Sequence, residues 1–213
     1  MILKKTDMNT ISKSVLYAYN QIAEKYVAAY GENDAIDCKY LNDFVESLSG
    51  DKVLDMGCGC GESISYLAKF ELNLIGVDFS EKMLAEACRL YPKLKFEKQN
   101  ILKTSFMDKS FDGIVLTYVI NHFNDEGLKL LKKEIDRILK DKGTVFLSVH
   151  VGNKEEYVPD PLDETIEIYY NFLNVDRLDE LFEGYERLKY NSRKSFGEDE
   201  FLCDKMFVIY RKG

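Results

Sequence analysis

The segment Val53-Leu54-Asp55-Met56-Gly57-Cys58-Gly59-Cys60-Gly61-Glu62 constrains this chain more than any other. A buried-strand pattern runs directly into three alternating glycines and then into a helical stretch. Glycine lets a backbone turn sharply and approach a ligand closely. Beyond Gly61 a second strand-like run ends in Gly76-Val77-Asp78-Phe79-Ser80, which sets a carboxylate at the end of the neighbouring strand, beside the glycine loop. A carboxylate in that place can accept both ribose hydroxyls of an adenine nucleoside.

The surrounding pattern is α/β, with short apolar runs alternating with helical stretches of about ten residues or more. Strands are expected at 52–56, 74–78, 95–99, 111–118 and 144–150, and helices at 62–70, 81–90 and 126–140. In the last helix Leu128, Leu131, Ile135 and Ile138 share one face, and Gly143 reads as its stop. Right-handed crossovers then give a parallel sheet covered on both sides. After a helix at 175–183, two strand-like runs at 185–192 and 202–211 read as an antiparallel hairpin on the sheet edge. Two helices precede the first strand, at 11–30 and 34–48, closed by Gly31 and Gly50. Residues 151–174, with Pro159 and Pro161, read as an irregular insertion after the fifth strand.

A length of 213 residues suits one core, so 1–213 is read as a single domain with a helical cap over 1–50 and an inserted lid over 151–174. With 46% hydrophobic and 31% charged residues, the composition excludes collagenous, mucin-like and disordered chains. The net charge of −8 argues against a nucleic acid partner. The five cysteines are scattered without a Cys-x-x-Cys pair, as expected of reduced thiols. Cys58 and Cys60 with two distant histidines make a poor zinc set, so no metal is expected. The apolar runs are too short to span a bilayer, and the first ten residues lack the apolar core of a secretory signal. The expected setting is cytoplasmic, the partner a small molecule, and the assembly a monomer or homodimer.

The nucleoside could belong to NAD, but the dinucleotide fingerprint GxGxxG needs glycine where Glu62 stands. Asp55, two residues before the first glycine, would repel a diphosphate and can help hold an ammonium group. The favoured ligand has a nucleoside at one end and a zwitterionic, cationic group at the other.

On these residues the chain resembles the class I S-adenosylmethionine-dependent methyltransferases, particularly the small-molecule branch that includes the ubiquinone and menaquinone C-methyltransferases. Residues 53–61 are similar to the family's cofactor loop and 76–84 to its ribose-binding segment. Residues 96–101 through Phe106, then 110–115, resemble its adenine-binding turn and fourth strand. The likeness covers roughly residues 50–150 in three spaced motifs. The family usually has Asp where Asn100 stands; an amide oxygen can still pair with the adenine amino group.

The resemblance implies a Rossmann-like doubly wound sheet of seven strands in the order 3-2-1-4-5-7-6, with S-adenosylmethionine as cofactor and S-adenosylhomocysteine as product. It implies Gly57 and Gly59 under the methionine portion, with Cys58 between them, and Asp78 on the ribose rather than only capping the next helix. It further implies Phe79 and Met83 about the adenine, Asn100 and Ile101 at its polar edge, and Thr117 and Tyr118 touching the cofactor at the end of the fourth strand. In the family a segment like the first helix closes over the cofactor, which brings forward Tyr19 and Tyr26, on one face with Tyr30.

Both histidines fall at the ends of adjacent strands, so His122, ahead of His150, is a candidate general base titrating near about 6.5. The insertion sets Glu155, Glu156, Asp160, Asp163, Glu164 and Glu167 among aromatic residues. Tyr157, Tyr169 and Tyr170 are the candidate acceptor contacts there, and acid plus aromatic favours an amine acceptor. The expected activity is in-line methyl transfer to a small molecule. A non-catalytic module that binds the same cofactor is the alternative, and an NAD-dependent oxidoreductase a third reading.

Overall fold

The computed structural model describes residues 7–30, 37–195 and 203–213. It opens with a long helix α1 (Met8–Tyr30), a 3₁₀ turn at Cys38–Tyr40 and helix α2 (Leu41–Ser47). Then follow β1 (Lys52–Met56), α3 (Glu62–Leu67), β2 (Asn73–Asp78), α4 (Glu81–Leu90), β3 (Lys95–Lys98) and β4 (Phe111–Thr117). A 3₁₀ turn at Ile120–His122 leads to α5 (Asp125–Ile138) and β5 (Leu139–His150). The chain ends with β6 (Glu155–Asp160), β7 (Asp163–Asn171), α6 (Val175–Leu181), β8 (Tyr185–Arg193) and β9 (Lys205–Lys212).

Seven strands form one sheet in the order β3-β2-β1-β4-β5-β9-β8. The first five run parallel, and β9 and β8 add an antiparallel edge. With β6 and β7 set apart, this is the 3-2-1-4-5-7-6 order that the resemblance implies. Side chains alternate along each strand. Leu54, Met56, Ile114, Leu116, Val145 and Leu147 therefore enter one core, while Val53, Val115 and Phe146 enter the other, against Leu41 and Phe44 of α2. Burial on both faces explains why the strands read as unbroken apolar runs, each large side chain contributing about 1.5–3 kcal/mol. On α5 the stripe Leu128, Leu131, Ile135 and Ile138 is buried as its spacing requires.

Several expectations need correction. Helix α5 ends at Ile138, before Gly143, because Leu139 is already extended and pairs with Phe111; Gly143 lies inside β5. Lys142 is left-handed there (φ 64°), where the β4–β5 register shifts. Helix α3 stops at Leu67 rather than 70, and the helix expected from 34 begins at Leu41 after its 3₁₀ turn; Gly31, Asp34 and Leu202 lie outside the described residues.

The insertion is not irregular: β6 and β7 form an antiparallel hairpin, with Tyr157 opposite Tyr169 and Pro159 opposite Glu167. Pro159 hides the strand in the sequence, but a two-stranded hairpin has an outer edge where a missing N–H costs no ladder bond. Two buried amides fasten this hairpin to the sheet. Asn121 Nδ2 donates to His150 O (3.1 Å) and Asn171 O (2.7 Å), while its Oδ1 accepts from His150 N (3.0 Å). Asn171 Nδ2 in turn donates to Phe123 O (2.9 Å).

Candidate active site

A cavity of about 870 Å³, its open mouth included, lies beyond the carboxyl ends of β1, β2 and β4. Small-molecule sites favour this end of a doubly wound sheet. Its floor is the glycine loop, where Gly57, Gly59 and Gly61 have φ of 77°, 52° and 93°. The loop is tied to β2, since Gly57 N and Cys58 N both donate to Val77 O (2.8 and 3.0 Å). A Cβ at Gly57 would stand 2.4 Å from Val119 Cγ2, so this position is fixed by contact as well as by conformation.

Asp78 lines the cavity and is nearly buried. Its Oδ1 accepts from Ser80 N (2.8 Å) and its Oδ2 from Gly59 N (3.0 Å). Burial raises its pKa, opposed by those backbone N–H groups. The cap of α4 is Ser80, whose Oγ accepts from Met83 N (3.2 Å), so Asp78 is not the capping residue. Phe79, Met83, Gln99, Asn100, Ile101 and Leu102 form the wall beside it. Asn100 Oδ1 accepts from Leu102 N (2.9 Å) and holds that turn. Behind the turn Glu134 accepts from Thr104 N and Oγ1 (2.8 and 2.6 Å), and Arg137 binds both Glu134 and Phe106 O, which anchors the wall to α5.

The cavity continues into a narrower recess lined by Asp55, Cys58, Cys60, Glu62 and Ser63 and shares Tyr26, Gly57, Gly59, Thr117 and Tyr118 with it. Asp55 is buried, and neither of its carboxylate oxygens has a partner among the described residues; Glu62 Oε1 is likewise unpartnered. Burial, then the charges of Asp78 and Glu62, push Asp55 up to about 8, opposed by the backbone N–H of Ile64, which falls short of hydrogen-bond geometry. Burial, then Asp37, pushes Glu62 up to about 7. Burial also raises both thiols, Cys60 to about 12, so neither is a thiolate at neutral pH. Thr117 Oγ1 shares a hydrogen bond with Ser63 Oγ (2.7 Å), joining the end of β4 to α3.

Tyr118 is left-handed (φ 58°), a strained conformation for a bulky residue that its surroundings impose. Its hydroxyl donates to Asp37, which Arg193 holds in a bidentate pair (2.6 and 2.8 Å). Its ring lies 4.7 Å from that of His150.

Helix α1 forms the roof, with Met8, Ser12, Val15, Tyr19 and Tyr26 facing the cavity. It is fastened by Ser80 Oγ donating to Asn20 Oδ1 (2.8 Å), by Lys25 with Asp163 (2.7 Å), and by Tyr19 Oη with His122 Nε2 (2.9 Å). His122 lines the cavity, but both its ring nitrogens are engaged. Nδ1 lies 3.0 Å from Tyr169 O, and a carbonyl can only accept, so Nδ1 carries the proton and Nε2 accepts from Tyr19. Burial lowers the His122 pKa to about 4, against the Tyr169 carbonyl, which corrects the expected titration near 6.5.

His150 lies outside the lining residues, with Nδ1 3.3 Å from Cys203 Sγ, and burial and Lys205 hold its pKa well below 6.5. Tyr157, Tyr169 and Tyr170 do not line the cavity either. Tyr169 Oη donates to Glu155 (2.7 Å), Tyr157 packs edge-on against Tyr169, and Tyr170 lies between His122 and His150. The hairpin thus backs α1 and His122. The sequence reading missed Met8, Ser12 and Val15, although their spacing continues the face of Tyr19 and Tyr26. It also missed Val119, Phe123, Gln99 and Leu102, which carry no local signal.

Residues 53–143 match the family described as "Methyltransferase domain". Phosphoethanolamine N-methyltransferase 3 of Arabidopsis thaliana is 29% identical over 127 residues, 57% of this chain and 26% of that protein. Demethylmenaquinone methyltransferase of Thermotoga maritima is 28% identical over 145 residues, 63% of this chain and 61% of that protein. The chain therefore spans only part of the length of these relatives. In fold it is similar to a Burkholderia thailandensis 1,6-didemethyltoxoflavin-N1-methyltransferase with bound 1,6-didemethyltoxoflavin and S-adenosylhomocysteine (TM-score 0.77, 13% identity, covering 100% of this chain and 93% of that one). Motifs, fold and relatives agree: residues 53–143 match a methyltransferase domain, and the chain is similar to the class I S-adenosylmethionine-dependent methyltransferases, demethylmenaquinone methyltransferases among them.

Proposed function

We propose that the chain binds S-adenosylmethionine in this cavity and transfers its methyl group to a small-molecule acceptor. The observation that carries the reading is one continuous space with a carboxylate for a diol at Asp78 and an orphaned buried carboxylate at Asp55, joined by the glycine loop. An ammonium group satisfies Asp55, whereas a diphosphate there would meet Asp55 and Glu62. No Lys or Arg stands among the described lining residues to offset such a diphosphate.

Asp78 would hold the ribose, Phe79 and Met83 the adenine faces, and Asn100 with Ile101 its polar edge. Gly57, Gly59, Thr117, Tyr118 and Tyr26 would enclose the amino-acid end. When bound, the cofactor supplies a methyl group on a sulfonium, with a neutral sulfide as leaving group. The protein's own work is then alignment and exclusion of water. Tyr19 and His122 hold α1 closed above the space, and the β6–β7 hairpin keeps His122 in its tautomer through Tyr169 O. The cavity extends past Tyr19 to Met8, Ser12, Val15 and Phe123, a chamber that an acceptor needs and a simple cofactor sensor does not.

The test is calorimetric titration with S-adenosylmethionine and with NAD, followed by transfer of labelled methyl to a panel of amines, phenols and quinols. Binding of S-adenosylmethionine alone, with label appearing in one acceptor class, is the expected result. Tighter binding of NAD would overturn it.

A further inference from the structure

Ribose, adenine and acceptor contacts leave one feature of the cavity unexplained: two carboxylates sharing a buried recess without a cation. Asp55 comes from β1 and Glu62 from the first turn of α3. Both Asp55 oxygens and Glu62 Oε1 lack partners among the described residues. The titratable groups around them are Asp78 at the end of β2, Cys58 and Cys60 in the loop, Tyr26 of α1 and Tyr118 after β4. Asp37, ahead of α2, adds a negative charge toward Glu62, and its own partners are Tyr118 and Arg193 of β8.

We infer that Asp55 and Glu62 form a proton-linked cation site, which gives up a proton to solvent when the ammonium of the cofactor's amino-acid end enters. The inference rests on the cofactor reading above and adds a second carboxylate and a proton balance to it. A buried carboxylate and a half-buried one sharing a recess with no counter-charge do not both stay ionised, because the desolvation cost is too large. Before the ammonium enters, the recess therefore retains a proton near pH 7, in keeping with the raised values of about 8 for Asp55 and about 7 for Glu62. An ammonium within a few ångströms lowers a carboxylate pKa by about 1–3 units. The O–H bond of the retained proton then breaks heterolytically, the carboxylate keeps the electron pair, and the proton passes to water or buffer.

The test uses the full chain titrated with S-adenosylhomocysteine, which carries the same amino-acid end and no methyl to transfer. Calorimetry at pH 7.0 in buffers of differing ionisation enthalpy gives the protons exchanged per ligand bound. Release of about half to one proton is expected, with affinity tightening by up to about tenfold per pH unit from 6 to 7.5. Asp55→Asn should cut the release by more than half. Glu62→Gln, at the more accessible carboxylate, should lower it by a smaller amount and covers the case in which Asp55→Asn does not fold. The free ligand's amine is the same in all three titrations, so differences between them report the bound site. No proton exchange, net uptake, or release unchanged in the variants would overturn the inference while leaving the cofactor reading in place. Absence of binding at every pH would instead overturn that reading.

Discussion

Replacing Asp78 by Asn preserves the size of the side chain and removes one acceptor oxygen and the charge. The carboxylate offers about four lone-pair sites. Ser80 N and Gly59 N take two, at 2.8 and 3.0 Å, which leaves one on each oxygen for the two hydroxyls of a ribose. In the amide, the NH₂ group must face one of those two backbone donors. That N–H loses its acceptor in a nearly buried place, at a cost of about 1–3 kcal/mol. Relief of the buried charge, which the raised pKa of Asp78 registers, offsets part of that loss, so the fold should survive. Binding has no such compensation. One ribose hydroxyl loses a charged acceptor worth about 1.5–3 kcal/mol, or about 10- to 150-fold in Kd. Urea unfolding of the ligand-free protein gives the first quantity, and calorimetry with S-adenosylmethionine the second. A variant that unfolds cooperatively yet binds within threefold of the parent would refute the placement of the ribose at Asp78.

Gly57→Ala should be more damaging than Gly59→Ala. Both need a left-handed residue, at about 1–2 kcal/mol, but a Cβ at 57 also meets Val119 Cγ2 at 2.4 Å, whereas at 59 it meets only Met83 Cε at 3.3 Å. Equal losses in thermal unfolding would contradict this. Asn121→Leu leaves His150 N and Asn171 O without their partner, while His150 O keeps Leu173 N, and should cost at least about 2 kcal/mol in urea; a loss under 1 kcal/mol would count against the riveting role.

The pH dependence follows from His122. Its folded pKa of about 4 lies below the ordinary 6.5, so below 6.5 the unfolded chain binds more protons and the ring's contribution fades as pH falls toward 4. The stability difference between the parent and His122→Gln should therefore shrink across that window, and a constant difference would refute it. Lys25→Ala breaks an exposed ion pair and should change stability by under about 1 kcal/mol.

Local chemistry was legible from the sequence wherever a residue's role follows from its own strand or loop. Three alternating glycines after a buried strand, and Asp78 at the end of the next, predict a cavity with the loop and the carboxylate together, because strand ends in a parallel sheet fall side by side. The same reasoning placed the Asp55 carboxyl beside the loop, and the edge hairpin followed from the absence of helical period after residue 185. Roles set by partners distant in the chain were hidden. His122 reads as a free base in sequence, yet its two nitrogens are consumed by Tyr19 and Tyr169, 103 and 47 residues away. The insertion reads as an acidic lid; in the fold three of its acids, Asp163, Glu156 and Glu155, pair with Lys25, Lys154 and Tyr169, and its strand β7 packs against α1. Whether a carboxylate or an imidazole is charged depends on burial and on what packs against it. Periodicity and glycine placement thus determined the sheet and the position of the cavity, while tertiary packing alone decided the protonation, tautomer and accessibility of the groups that line it.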